Sequence, residues 1–251
     1  MVSGGCKLGE GEIGLAPPNL PWLAGWNYRL LQALFHLLPH GVTIDRFFAF
    51  LVSNHLVSTW IFAACFYWFW SQKNAKQPWR RQRLFQLVIA IALSVVLTVA
   101  IRPWIRWPAP ARNLSFRDLY PPYLWDYGSL NSFPSHSTLV YFGVAAGLWR
   151  LNRGFSLTLG LLALGLISLP RICLGGHYPI DVAASIALAS VALTLVAYWR
   201  LPGKISVWLD HSGSGTALRE FLLMIWIFEL GEGFQGSMSI LTSVRHLFFH
   251  R

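Results

Sequence analysis

The sequence predicts an all-α, polytopic membrane protein: a helical bundle with five or six transmembrane helices. Of its 251 residues, 55% are hydrophobic and only 12% are charged, whereas soluble proteins carry about 25% charged residues. The mean hydropathy is +0.47 and there are 13 tryptophans. This composition excludes intrinsic disorder, a coiled coil, a collagen-like chain and a disulfide-stapled secreted scaffold.

The net charge of +10 does not predict a nucleic-acid partner, although clustered Lys and Arg residues can bind polyanions. The basic residues lie at the ends of apolar runs, which is typical of loops that face a membrane surface. The cysteines Cys6, Cys65 and Cys173 have no CxxC spacing and are odd in number, so neither a zinc site nor a disulfide framework is indicated. We therefore expect the lipid bilayer as the environment.

Apolar length identifies the spans, because a helix needs about 20 apolar residues to cross the hydrocarbon core. Five runs are predicted to span: 47–70, 84–101, 137–149, 155–169 and 179–199. A sixth run, 221–230, is short and is predicted as a broken span or an interfacial segment. Near the N-terminus, 28–38 has helical periodicity but is too short to cross, so it predicts an interfacial helix.

We divide the chain accordingly into three parts. Residues 1–46 form an N-terminal segment with the interfacial helix, 47–200 the transmembrane domain, and 201–251 a C-terminal segment with the possible sixth span. The 71–83 loop contains five basic residues and no acid, which predicts that it is cytoplasmic. Alternation then places the 102–136 and 171–178 loops together on the outward face.

The most informative pattern is Arg171-x5-His177-x3-Asp181, between the fourth and fifth spans. Asp181 can accept a hydrogen bond from one imidazole nitrogen of His177 and leave the other as a nucleophile. Arg171 offers a planar donor group for phosphate oxygens, and Gly175 and Gly176 allow close approach of an anion. The alternative is that Arg171 and His177 are ordinary interfacial residues and Asp181 a helix N-terminal acid.

This spacing resembles the third signature block of the type 2 phosphatidic acid phosphatase superfamily, which includes the bacterial isoprenoid-diphosphate phosphatases. In that family the block opens with Ser-Arg, and Pro170 replaces the Ser here. The second block, Pro-Ser-Gly-His, corresponds to Pro134-Ser135-His136, which is one residue shorter. Either His136 retains the role of the block's histidine, or Ser137 takes its place.

The family's first block, Lys-x6-Arg-Pro, aligns with Arg102 and Ala109-Pro110. Positive charge is therefore kept at the first position and lost at the second. Arg106 or Arg112 is a candidate to supply the missing guanidinium, the alternative being that these arginines anchor a helix end at the lipid headgroups. The resemblance covers roughly residues 84–196.

The resemblance implies that His177 attacks phosphorus to give a phosphohistidine and that Asp181 stabilises the imidazolium. His136 would protonate the leaving oxygen and later activate water. The implied phosphate-binding residues are Arg171, Arg102, Ser135, Arg106 and Arg112. No metal and no other cofactor is expected, because Mg²⁺ needs several clustered carboxylates and the outward loops offer few.

We therefore predict a metal-independent lipid phosphatase in a cell inner membrane, with its site facing the periplasm or exterior. Its substrate would be a membrane lipid phosphate or an isoprenoid diphosphate such as undecaprenyl diphosphate. No nucleic-acid partner is expected, and the sequence does not indicate protein partners. Two alternatives remain: a phosphotransferase of the same fold, and a catalytically weakened lipid-binding or assembly subunit, the latter suggested by Ala109 and the shortened second block.

Overall fold

A computed structural model describes residues 21–37, 41–72, 79–102, 104–105, 107–114, 116–125, 127–128, 131–199, 216–232, 234 and 240–241. These residues form helices, turns and loops and no strand, which confirms the predicted all-α fold. The first six helices along the described chain are α1 (Pro21–Leu37), α2 (Val42–Ser53), α3 (His55–Ser58), α4 (Trp60–Ser71), α5 (Trp79–Ile101) and α6 (His136–Gly147). Four follow: α7 (Arg153–Leu162), α8 (Leu169–Cys173), α9 (Pro179–Tyr198) and α10 (Thr216–Gly231).

Three helical stretches in the described residues are long and apolar enough to cross a membrane. They are Trp79–Ile101, Arg153–Cys173 and Pro179–Tyr198, with 23, 21 and 20 residues. At 1.5 Å per residue each measures about 30 Å, which is the thickness of the hydrocarbon core. The protein is therefore a helical membrane protein, and these stretches correspond to the second, fourth and fifth predicted spans.

The stretch Arg153–Cys173 is continuous, but its hydrogen-bonding pattern changes along its length. A π-helical segment, Ala163–Ser168, joins α7 to α8. It lies immediately before Pro170, which has no backbone N–H and cannot donate the usual bond to residue i−4. The wider turn accommodates Pro170 without ending the helix, so Arg171 remains on a helix, in α8.

The first predicted span, 47–70, differs from the prediction because it is divided among α2, α3 and α4. The helix ends at Asn54, whose side-chain oxygen accepts a hydrogen bond from the Val57 amide at 3.3 Å and begins the short α3. Thr59 then separates α3 from α4. Asn and Thr bond readily to nearby backbone groups, which competes with a continuous helix.

The third predicted span corresponds to α6, which has only 12 residues and lies at the centre of the bundle. It packs between α5, α7 and α9, and Leu139, Val140 and Tyr141 are fully buried. Because other helices surround it, α6 is stabilised by its neighbours more than by lipid. Gly143 has no side chain, and a Cβ there would lie 3.5 Å from Ile91 and 3.7 Å from Ala189, so the three helices approach closely at this point.

The C-terminal run forms α10, which packs along α4. The Tyr141 hydroxyl donates to the Leu230 carbonyl at 2.9 Å, and the Thr59 hydroxyl donates to the Gly231 carbonyl. Both bonds satisfy carbonyls that a helix end leaves without an intrahelical partner. The α10 helix therefore belongs to the bundle, while the total number of membrane crossings stays a prediction.

Candidate functional site

The two loops that were predicted to share a face are joined in the structure. The first loop follows α5 and contains three 3₁₀ turns, Pro110–Arg112, Arg117–Leu119 and Pro122–Leu124. Its Ala111 amide donates to the Gly175 carbonyl at 3.0 Å, and the Tyr120 hydroxyl donates to the Ile172 carbonyl at 3.2 Å. In a third, buried bond the side-chain amide of Asn113 donates to the Tyr178 hydroxyl at 2.9 Å. The first loop therefore forms a cover that is bonded to the second.

Glycines permit this close packing at two positions. Gly175 has φ +76°, in the left-handed region that side chains disfavour. A Cβ there would lie 2.4 Å from the Ala111 Cβ and 2.9 Å from the Tyr120 ring. Gly128 has φ +88°, and a Cβ on it would lie 2.6 Å from the Ala109 Cβ. These contacts fix the position of the cover, the loop after α5, over the 171–178 loop, which carries His177.

His177 is held by a backbone carbonyl as well as by an acid. Its Nδ1 lies 2.9 Å from the Ser132 carbonyl oxygen and 3.5 Å from Asp181 Oδ2. Since a carbonyl oxygen only accepts, the bond to Ser132 requires a proton on Nδ1. In the neutral ring Nε2 is then the nitrogen with a free lone pair. The imidazole is 15% exposed, so it lies at the edge of the site.

Asp181 lies in the first turn of α9 and is completely buried. Its Oδ2 accepts a hydrogen bond from the Tyr178 amide at 2.9 Å, which makes it part of a capping box. Its Oδ1 has no hydrogen-bond partner among the described residues. Sequence analysis predicted Asp181 as the direct acceptor for His177, but the Ser132 carbonyl is the closer partner. Asp181 Oδ2 is the more distant of the two oxygens that face Nδ1.

Arg171 lies in α8, one turn before the His177 loop. Its Nη1 donates to the Ile167 carbonyl at 3.1 Å, which orients the guanidinium along its own helix. Its carbonyl oxygen accepts from the Gly176 amide at 2.8 Å and from the His177 amide at 3.3 Å. The backbone of Arg171 thus fixes the loop that carries His177, while its guanidinium interacts electrostatically with Tyr127.

Two tyrosines beside these residues remain neutral phenols. Burial raises the pKa of Tyr127, and the positive charge of Arg171 partly offsets that rise. Burial also raises the pKa of Tyr178, whose hydroxyl is bonded to Asn113. As neutral groups they add no negative charge to the surroundings of Arg171 and His177.

The second block lies directly beside His177, since Ser132 belongs to the segment that leads into α6. His136 is the first residue of α6 and is half-buried. Ser135 is fully buried, and its hydroxyl lies 3.0 Å from the Thr138 hydroxyl, which in turn lies 2.8 Å from the Ser168 hydroxyl. The Ser135 side chain therefore bonds within the bundle and gives no side-chain cap to the first-turn amides of α6.

The structure describes three of the four candidate positions in and beside the first block. Arg102 directly follows α5, and its carbonyl accepts from the Asn131 side-chain amide in the segment before α6. Ala109 is completely buried under Gly128. Arg112 ends the turn Pro110–Arg112 and is half-buried, one residue from the Ala111 contact with Gly175. Arg106 lies outside the described residues.

Several features of this site were not predicted from the sequence. The Ser132 carbonyl is a backbone group, so no residue type reveals it. The contacts of Gly128 and Tyr127 with Gly176 join positions almost fifty residues apart, and no motif connects them. Among the described residues, no three His, Cys, Asp or Glu side chains are grouped as a metal site would require.

The fold defines an integral membrane protein in which the loop after α5 and the 171–178 loop build one site at the same end of the bundle. Comparison with protein families matches residues 83–204 to the PAP2 superfamily. This segment includes most of α5, α6 to α9 and all three blocks, and the match confirms the resemblance to the type 2 phosphatidic acid phosphatase superfamily that the sequence predicted. No curated protein and no solved structure shows significant similarity to the chain.

Proposed function

We propose that the protein is a lipid phosphatase that hydrolyses a lipid phosphate or an isoprenoid diphosphate through a phosphohistidine, without a metal ion. Membership of the superfamily supports a phosphatase-type fold. One observation carries the proposal further: the bond between His177 Nδ1 and the Ser132 carbonyl at 2.9 Å. It leaves Nε2 as the nitrogen that can attack, at the edge of a site that contains Arg171.

In the first step Nε2 of His177 forms a bond to phosphorus and the bond from phosphorus to the lipid oxygen breaks. The leaving oxygen takes a proton from His136. The ring of His177 becomes cationic, and the buried Asp181 carboxylate, 3.5 Å away, stabilises that charge. In the second step His136 removes a proton from water, the resulting hydroxide attacks phosphorus, and inorganic phosphate leaves His177.

The negative charge on phosphorus needs donors fixed in advance. We assign this role to Arg171, Arg102 and Arg112, together with the first-turn amides of α6, which point toward an anion at a helix N-terminus. The N-terminus of α9 is not equivalent, because Asp181 accepts from the Tyr178 amide and Asn27 accepts from the Ile180 amide. The α6 end is therefore the better phosphate position.

The substrate should be amphiphilic, since the site lies at one end of a membrane bundle and a lipid tail can remain in the bilayer. We place the site on the periplasmic or outer face of the inner membrane, because the basic 71–83 loop lies at the opposite end of α5. Phosphate release in detergent from a panel of lipid phosphates and diphosphates tests the proposal. Release that occurs only with a soluble ester would overturn the lipid assignment.

A second candidate is a weakened member of the family that binds lipid as a subunit. It is favoured by Ala109, which is buried where the family has an arginine. Lipid binding without phosphate release, with no release on adding a lipid or sugar alcohol acceptor, would favour this candidate. Release that depends on such an acceptor would instead indicate a phosphotransferase.

Replacing Asp181 by asparagine should lower the rate of phosphate release by about 10- to 100-fold, because the buried carboxylate 3.5 Å from Nδ1 stabilises the cationic ring of the phosphohistidine. The effect should not be larger, because the Ser132 carbonyl still holds the proton on Nδ1. The matched control is Ser185→Ala, which removes a buried hydrogen bond to the Asp181 carbonyl one turn along α9. Equal losses in both variants would indicate a structural effect and contradict the charge role.

Orthovanadate should inhibit phosphate release competitively, because it adopts the five-coordinate geometry of phosphoryl transfer and binds as a transition-state analogue. The measurement is initial rate against vanadate concentration, repeated in excess chelator. The chelator should leave both the rate and the inhibition unchanged. A rate that falls to background in chelator and returns with Mg²⁺ would show that the arginine assignment is wrong.

A further inference from the structure

A cavity lies toward the end of the bundle opposite to His177. It is formed where α5 begins and where α6 and α9 end, and its volume is about 550 Å³. We call it the basic cleft and define it by Arg83, Leu87, Trp149, Arg150, Leu193 and Tyr198. Its lining residues on α9 begin at Ser190, about 17 Å along the helix from Pro179, so it is not part of the site described above.

The basic cleft contains two guanidinium groups and no acid. None of its lining residues is Asp or Glu. Arg83 Nη1 donates to the Gln86 side chain at 3.1 Å and to the Ala197 carbonyl at 3.4 Å, and Arg150 forms no ion pair within the described part of the chain. Two positive charges therefore face a cavity large enough for a small ligand.

The rest of the wall suits a lipid. Ser190 and Thr194 line the cavity, but their hydroxyls donate to carbonyls of their own helix at 2.8 and 2.7 Å. Hydrogen-bond donors for a ligand are thus concentrated at the arginine end. Beyond that end α9 exposes Val191 and Leu195, at 54% and 63%. The cleft thus has a charged end and an adjoining apolar surface. An anionic lipid headgroup would fit beside the arginines, and its acyl chain would fit along α9.

Trp149 and Tyr198 indicate where the cleft lies relative to the membrane surface. Both side chains are exposed, at 43% and 84%, and such aromatic residues are enriched at the membrane–water interface. The 71–83 segment, which ends at Arg83, was predicted to be cytoplasmic from its five basic residues. Basic pockets between helices on that side of a membrane bind anionic lipid headgroups.

We infer that the basic cleft binds the phosphate headgroup of an anionic phospholipid from the leaflet opposite to the His177 site. The phosphodiester would lie between Arg83 and Arg150, and one acyl chain would follow α9. The inference does not depend on the proposed phosphatase activity, because it concerns binding at the other end of the bundle.

Native mass spectrometry of the full chain in detergent tests this inference, with phosphatidylglycerol and phosphatidylcholine added in equal amounts. The wild type should retain phosphatidylglycerol preferentially. Arg150→Gln should weaken that preference about fivefold and Arg83→Gln with Arg150→Gln about thirtyfold, from the loss of one or two basic contacts. Arg150→Gln is the decisive variant, because Arg83→Gln also removes the hydrogen bond to Ala197.

The matched control is Arg80→Gln, which removes one charge three residues earlier in α5 but does not line the cleft. It should bind phosphatidylglycerol as the wild type does. An equal loss in Arg80→Gln, or no preference for phosphatidylglycerol in the wild type, would overturn the inference. So would full competition by inorganic phosphate or by glycerophosphoglycerol at equal concentration, since a soluble anion would then be the ligand.

Discussion

Replacing His177 by alanine is expected to abolish phosphate release from every lipid that the wild type hydrolyses, by about 10⁴-fold or more. The Ser132 carbonyl fixes the proton on Nδ1 of His177 and leaves Nε2 as the attacking nitrogen. The fold should survive, because the side chain is partly exposed and forms one neutral hydrogen bond, worth about 1 kcal/mol. Initial rates in detergent provide the measurement.

The matched control for this loss is His36→Ala, which removes an exposed histidine in the last turn of α1. Its activity should equal that of the wild type. An unchanged rate in His177→Ala would exclude the phosphohistidine and leave a direct attack by water. A loss of activity accompanied by a lower unfolding temperature would indicate a structural role instead.

A further comparison separates the roles of the two histidines. An activated aryl phosphate has a leaving group that needs no proton, so His136→Ala should still transfer its phosphoryl group to His177. Water attack would then be slow, and an acid-labile phosphoenzyme should accumulate. The measurement is the amount of phosphoenzyme formed from the phosphate-labelled ester. If His136→Ala forms no phosphoenzyme while the wild type rapidly hydrolyses the same ester, the assignment of His136 is contradicted.

The helical architecture was predictable because apolar length is a direct consequence of bilayer thickness. Three of the predicted spans correspond to helices that satisfy that requirement in the structure. The break at Asn54 was not predicted, because one polar residue in an apolar run is equally compatible with a continuous helix. Its effect depends on whether its side chain finds the Val57 amide, which is a local geometric matter.

The candidate site shows the same division. Arg171, His177 and Asp181 were found from spacing, because their side chains carry the chemistry and lie close together in sequence. The Ser132 carbonyl was not found, since any residue supplies a carbonyl and the contact spans 45 positions. The Ser135 hydroxyl was not predicted to bond inside the bundle. It does so through Thr138 and Ser168, which lie on two different helical segments.

Replacing Gly175 by alanine is expected to destabilise the protein by about 2 to 5 kcal/mol, combining the cost of a side chain in a left-handed conformation with that of overpacking. The new Cβ would lie 2.4 Å from the Ala111 Cβ and 3.0 Å from the Ala111 nitrogen. Relief requires the cover to move away, which breaks the bond from the Ala111 amide to the Gly175 carbonyl. Thermal unfolding in detergent should show a midpoint lower by about 5 °C or more.

The same substitution should reduce phosphate release even where the protein remains folded, because Gly175 precedes the two amides that bond to the Arg171 carbonyl and fix His177. Gly160→Ala is the matched control: it lies in α7, and a Cβ there meets nothing within 4 Å, so its stability should be equal or higher. A Gly175→Ala protein with the wild-type midpoint and rate would show that the cover is not held at this contact. A lower midpoint with a normal rate would mean that the cover stabilises the fold without positioning His177.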